Sequence, residues 1–120
     1  MKFRAKAMGS DPIKILIVDD DERVLIELER LLEGEGYSTV TAWGWREALE
    51  LCERTRFDLV LVDEHLGDLE SPALLEGLRR TQPLAFQILM HTQRGRKSNG
   101  AVCKWEHADM KARIRRYIAA

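Results

Sequence analysis

Twice in this chain an apolar run ends in acid, and that repetition is its clearest chemical signal. Lys14-Ile-Leu-Ile-Val-Asp19-Asp20-Asp21-Glu22 is a strand-like stretch that stops in a cluster of carboxylates, and Phe57-Asp-Leu-Val-Leu-Val-Asp63 repeats the pattern. As parallel strands of one α/β sheet, both would open on the same edge, where such sheets place their sites. Carboxylates gathered there repel one another and lose hydration, so a folded chain keeps them most readily around a divalent cation. Asp19, Asp20 and Asp63 are therefore the leading candidates for a metal-dependent site. The bland alternative is a solvated helix start, since acids favour a first helical turn. An acid at a second strand end favours the site.

The elements that must position these acids alternate along the chain. Ile13 to Val18 is expected as strand one, and Asp21 and Glu22 begin a helix. Val24, Leu25, Leu28, Leu31 and Leu32 recur at its helical period until Gly34 and Gly36. Tyr37 to Ala42 reads as a second strand, Trp45 to Arg54 as a second helix with Ala48, Leu49 and Cys52 on one face, and Phe57 to Val62 as a third strand. Ser71-Pro72 supplies an N-cap and a first-turn proline for a helix carrying Leu74, Leu75 and Leu78 as far as Arg80. Phe86 to Met90 is a fourth strand, Gln93 to Gly100 a polar loop and Ala101 to Cys103 a short fifth strand. His107 to Ile118 closes the chain as a helix with Met110, Ile114, Tyr117 and Ile118 facing inward. Such alternation predicts an α/β fold, a doubly wound parallel sheet of five strands in the order 2-1-3-4-5.

Composition bounds the rest. The 120 residues, 45% hydrophobic and 32% charged, suit one globular domain over residues 13–120, behind an N-terminal arm over 1–12 that has no period and is expected to be disordered. With 19 basic and 20 acidic residues the net charge is −1, so no whole-chain field draws it toward nucleic acid or a membrane. Cys52 and Cys103, 51 positions apart, match no zinc or CxxC spacing and are expected as buried, reduced thiols. No apolar run approaches the ~18 residues of a membrane span. The start, with Lys2, Arg4 and Lys6, has no stretch suited to a signal peptide, and a cytoplasmic location is expected.

These segments resemble the receiver domain of two-component response regulators. The resemblance rests on ILIVDDDERV, on FDLVLVDEHLGD, and on a lysine beyond strand five followed by a helix ending ARIRRYI. It implies a flavodoxin-like fold with Asp63 as phosphoacceptor, Asp19 and Asp20 as Mg²⁺ ligands, and the backbone carbonyl of His65 as a further ligand. Thr92 and Lys104 would complete the site; with the register displaced by one residue, His91 would take the place of Thr92. The partners implied are a histidine kinase or phosphotransfer protein and an unnamed downstream protein. No output segment for nucleic acid is expected, and the only reactions expected are self-phosphotransfer and self-dephosphorylation rather than enzymatic turnover.

Departures from the family pattern concentrate after Asp63. Gly67 and Ser71 stand where the family has proline and glycine, Gln93 where it has a small residue, and Trp105 where it has proline. Strand five has no aromatic residue. The segment between Thr92 and Lys104 is about one helix short, so helix four is expected to be shortened or missing. Two alternatives stay open: a pseudo-receiver that binds partners without switching, and a haloacid-dehalogenase-type phosphatase built on Asp19-x-Asp21. His65 as a side-chain ligand is less favoured than as a rim residue, Arg94-Gly-Arg96-Lys97 is expected to be solvated, and Trp43 and Trp45 are expected to pack around the second helix.

Overall fold

The structure, a computed structural model, describes residues 11–66, 69–96 and 100–119. In chain order the elements are β1 (Lys14–Val18), α1 (Glu22–Gly34), β2 (Ser38–Ala42), α2 (Trp45–Arg54), β3 (Leu59–Asp63), β4 (His65–Leu66), β5 (Leu69–Glu70), α3 (Ser71–Thr81), β6 (Phe86–His91), β7 (Ala101–Cys103) and α4 (His107–Ala119). Five of the strands form one parallel sheet in the order β2-β1-β3-β6-β7. Taken in chain order these lie 2-1-3-4-5, as expected. The antiparallel hairpin β4-β5 was not foreseen, because strands of two residues are too short to carry a hydrophobic period.

Apolar residues alternate across β1 and β3, and each parity builds its own core. Ile15, Ile17, Leu59 and Leu61 point to one face, where Val24, Leu25, Leu28 and Leu32 of α1 and Met110 and Ile114 of α4 cover them. Leu16, Val18, Val60 and Val62 point to the other, against Ala48 and Cys52 of α2 and Leu74 and Leu78 of α3. Strands buried on both faces need continuous apolar runs, which is what the sequence supplies.

Local chemistry fixes the helix ends. Asp21 caps α1, its side chain accepting from the backbone N–H of Arg23 at 2.9 Å. Gly36, at φ 92°, ends it: Gly36 N–H donates to Glu33 O at 3.0 Å and Tyr37 N–H to Leu32 O at 3.1 Å. Gly34, expected to stop the helix, is its last residue. In α3, a Cβ on Gly77 would stand 3.1 Å from Leu49 Cδ2, so glycine there permits the close approach of α2.

Buried Gln82 ties three elements together. Its Oε1 accepts from Phe57 N–H at 3.0 Å, and its Nε2 donates to Cys52 O at 2.9 Å and Thr55 O at 2.8 Å. Cys52 and Cys103 are buried free thiols, and burial pushes Cys52 up to about 11.

Two expectations need correction. Trp45 is partly buried against the core, but Trp43 is 63% exposed, because it precedes the helix and only its backbone N–H is held, by Glu47 Oε1 at 2.7 Å. Arg96 is not simply solvated: its guanidinium engages Glu64 at 2.8 and 3.3 Å. Between β6 and β7 no helix occurs among the described residues, in accord with a shortened or missing helix four. The arm over residues 1–10, Gly67, Lys97 and the side chains of Ser71 and Pro72 lie outside what is described.

Candidate functional site

Strand register brings the two acidic segments together. Val18 of β1 is level with Val62 of β3, so the next residues, Asp19 and Asp63, stand side by side at the strand ends. Asp19 N–H still donates to Ala42 O at 3.1 Å, extending the ladder by one residue. Asp20 follows at the exposed rim. Carboxylate oxygens of Asp19, Asp20 and Asp63 all lie within 4.8 Å of one another.

Lys104 completes this cluster from the far side of the sheet. It follows β7, its N–H held by His91 O at 2.8 Å, and its ammonium reaches Asp19 Oδ2 at 2.5 Å and Asp63 Oδ1 at 3.4 Å. Asp19 is fully buried, with Oδ1 accepting from Asp21 N–H at 2.8 Å. Asp63 is 8% exposed and also accepts from the backbone N–H of His65.

Burial pushes the carboxyls of Asp19 and Asp63 up, against the pull of Lys104. Burial alone would lower Lys104, but Asp19 and Asp63 outweigh it and hold the ammonium charged. Three carboxylates against one ammonium leave two negative charges at this edge, the balance a divalent cation would supply. Oxygens around Mg²⁺ sit about 3 Å apart when adjacent and about 4 Å when opposite. The cluster therefore fits the ion after small side-chain rotations, and all three side chains offer the hard oxygen donors it prefers.

The remaining candidates stand around this cluster. Thr92 is the first residue past β6 and is exposed. His91 is strand residue and wall: it is buried, and its Nδ1 accepts from Gln93 N–H at 3.1 Å. Of the two, Thr92 is the exposed one. His65 opens β4, its side chain 79% exposed with Nε2 3.8 Å from Glu64 Oε1. Asp21 caps α1 and pairs with Arg23 at 3.3 Å, and its N–H donates to Asp19 Oδ1 at 2.8 Å.

Sequence reasoning missed the Arg96–Glu64 pair. Arg96 pulls Glu64 below the usual carboxylate range through its direct hydrogen bonds. The two residues lie 32 positions apart, and no local pattern announces such a contact. A cavity of about 590 Å³ opens elsewhere, at the opposite ends of the strands, among Lys14, Ser38, Arg54 and Arg56. The carboxylate cluster and Lys104 lie away from this cavity, at the other ends of the strands.

Comparison with known proteins gives the family of the chain. Residues 15–112 match the family model of the response regulator receiver domain. The chain is 40% identical over 79 residues to the alkaline phosphatase synthesis transcriptional regulatory protein PhoP of Bacillus subtilis, covering 66% of this chain and 32% of that protein. It thus spans about a third of the length of this curated relative. Among solved structures, a CheY-like receiver domain protein from Methanospirillum hungatei superposes with a TM-score of 0.80 at 28% identity, over 91% of this chain and 95% of the other. The receiver domain of sensor histidine kinase PA1611 from Pseudomonas aeruginosa, solved with a magnesium ion coordinated in its active site cleft, gives a TM-score of 0.77 at 21% identity over 92% of this chain and all (100%) of the other. With the family model spanning most of its length, this chain belongs to the receiver domains of two-component response regulators.

Proposed function

We propose that this receiver domain takes a phosphoryl group onto Asp63 from the phosphohistidine of a histidine kinase or phosphotransfer protein, with Mg²⁺ at Asp19, Asp20, Asp63 and the backbone carbonyl of His65. The observation that carries the reading is Lys104, whose buried ammonium bridges Asp19 and Asp63 across the sheet. A lysine buried against two acids at a strand edge is costly to keep unless the site needs its charge.

Asp63 is the nucleophile. A carboxylate Oδ attacks phosphorus while the phosphorus–nitrogen bond of the donor breaks, and the departing imidazole takes the bonding pair. A neutral-pH carboxylate needs no general base for this step. Lys104 stabilises charge on the transferred oxygens and on the new acyl phosphate, and Thr92 donates its hydroxyl to the same group. His65 N–H keeps the Asp63 carboxylate oriented. Mg²⁺, when bound, offsets charge on the phosphoryl oxygens. A downstream protein reads the altered surface, and only self-dephosphorylation follows in the domain itself.

A second reading, a pseudo-receiver that binds partners without phosphorylation, is favoured by the lack of a helix between β6 and β7 among the described residues. Incubation with Mg²⁺ and acetyl phosphate, followed by intact-mass measurement beside Asp63→Ala, separates the two. One phosphoryl adduct on the wild type alone supports the phosphoacceptor; a folded protein without adduct supports the pseudo-receiver.

A further inference from the structure

After β6 the chain folds back in a tight turn that is fastened on both sides of the acidic edge. Gln93 N–H donates to His91 Nδ1 at 3.1 Å, Arg96 N–H donates to Gln93 O at 3.2 Å, and Gly95 makes the reversal at φ 78°. On one side the Arg96 guanidinium grips Glu64 Oε1 at 2.8 Å and Oε2 at 3.3 Å. On the other, Gly95 N–H reaches Glu106 Oε1 at 3.4 Å. Glu64 directly follows Asp63, and its own N–H is held by Met90 O at 2.9 Å, so the carboxylate that Arg96 grips hangs from fixed backbone. Glu106 lies two residues beyond Lys104.

We infer that Arg96 is a positioning residue: its two-pronged pair with Glu64 latches the Gln93–Arg96 turn beside Asp63 and sets how readily a phosphoryl donor and water reach that carboxylate. The inference rests on Asp63 being the phosphoacceptor. A guanidinium fork on a carboxylate selects one geometry, which a lysine cannot reproduce. The side chains of Arg96 and Glu64 are 34% and 21% exposed, so solvent screens the pair and the latch opens as well as closes. Gln93, exposed and bonded to the turn through its backbone N–H and carbonyl, moves with it when the latch opens.

Opening serves both directions of chemistry. In formation, Asp63 attacks the donor phosphorus as above. In loss, water oxygen attacks phosphorus, the bond to Asp63 Oδ breaks with its electron pair returning to the carboxylate, and inorganic phosphate leaves with the water's proton released to solvent. A latch that limits access slows both.

The test uses the full chain, Mg²⁺ and acetyl phosphate, with adduct formation and loss followed by intact mass, and amide hydrogen exchange of residues 91–96 read in parallel. Arg96→Ala and Glu64→Gln should each speed formation and loss about threefold to fivefold, the scale a screened bidentate pair can lend to a local closing equilibrium. The double variant should be no faster than either single, and Arg96→Lys should fall between wild type and Arg96→Ala. Exchange in the turn should quicken while core protection stays. Unchanged rates, or formation slowed instead of quickened, overturn the latch. A wild type that takes no adduct overturns the phosphoacceptor reading and the latch's role with it, whereas an adduct formed at one rate in all variants overturns the latch alone.

Discussion

The β1–β3 side and the β6–β7 side of one sheet edge are built to different standards. β1 and β3 contribute five residues each and are buried on both faces under α1, α2, α3 and α4. β7 has three residues, and the connection leading to it is a strapped turn with no helix among its described residues. Asp19 and Asp63 hang from the first region, while Thr92 and Lys104 hang from the second. A nucleophile and a metal cluster need rigid strand ends; a response to phosphorylation needs a cover that can rearrange. The packing of this chain is concentrated on the β1–β3 side.

The comparison fails outright if phosphoryl transfer survives loss of the well-built side. Asp63→Ala should abolish the adduct from acetyl phosphate completely, as read by intact mass. An adduct that persists would move the phosphoacceptor elsewhere. Among the described residues, Lys104 is the cation of the β6–β7 side that reaches Asp19 and Asp63. Lys104→Ala would leave Asp19 and Asp63 buried without their cation and should cost about 3–5 kcal/mol in urea unfolding with chelator present, a loss that Mg²⁺ partly restores. A loss indifferent to Mg²⁺ would mean that the ammonium and the ion do not share one site.

Metal linkage sharpens the contrast at smaller scale. Mg²⁺ at ten times its dissociation constant should stabilise the fold by about 1.4 kcal/mol, seen as a shift in thermal unfolding, and Asp20→Ala should remove most of it. Wild-type unfolding that ignores Mg²⁺ would refute the cluster as a metal site. The two buried thiols report on each region separately. Cys103 on β7 should label with a thiol reagent about fivefold faster than Cys52 on α2 under native conditions, because edge segments with thin cover open locally at lower cost. Equal rates would mean that the two regions open together.

Legibility in the sequence followed the same division. The runs Lys14 to Val18 and Phe57 to Asp63 announce themselves by apolar content and acid ends, and the sheet order and the meeting of Asp19, Asp20 and Asp63 followed from strand-end logic. Lys104 was reached only through a family resemblance, since a lone lysine after a short strand has no period to mark it. The Arg96–Glu64 pair and the Gln82 contacts escaped because they join residues 25 to 32 positions apart through side chains whose local sequence is ordinary. Trp43 was misplaced because an aromatic next to a helix start looks the same whether or not the chain turns it outward.

Gln82 separates the conditions that govern the two ends of the molecule. At the acidic edge, ionic strength, protons and divalent ions all act on the groups that hold the structure. At the opposite ends of the strands, the buried amide that joins α2, β3 and α3 carries no charge and gains or loses no proton near neutrality. This joint of the domain thereby keeps its hydrogen bonds across changes of pH, salt and divalent ions that act on the charged groups at the other end.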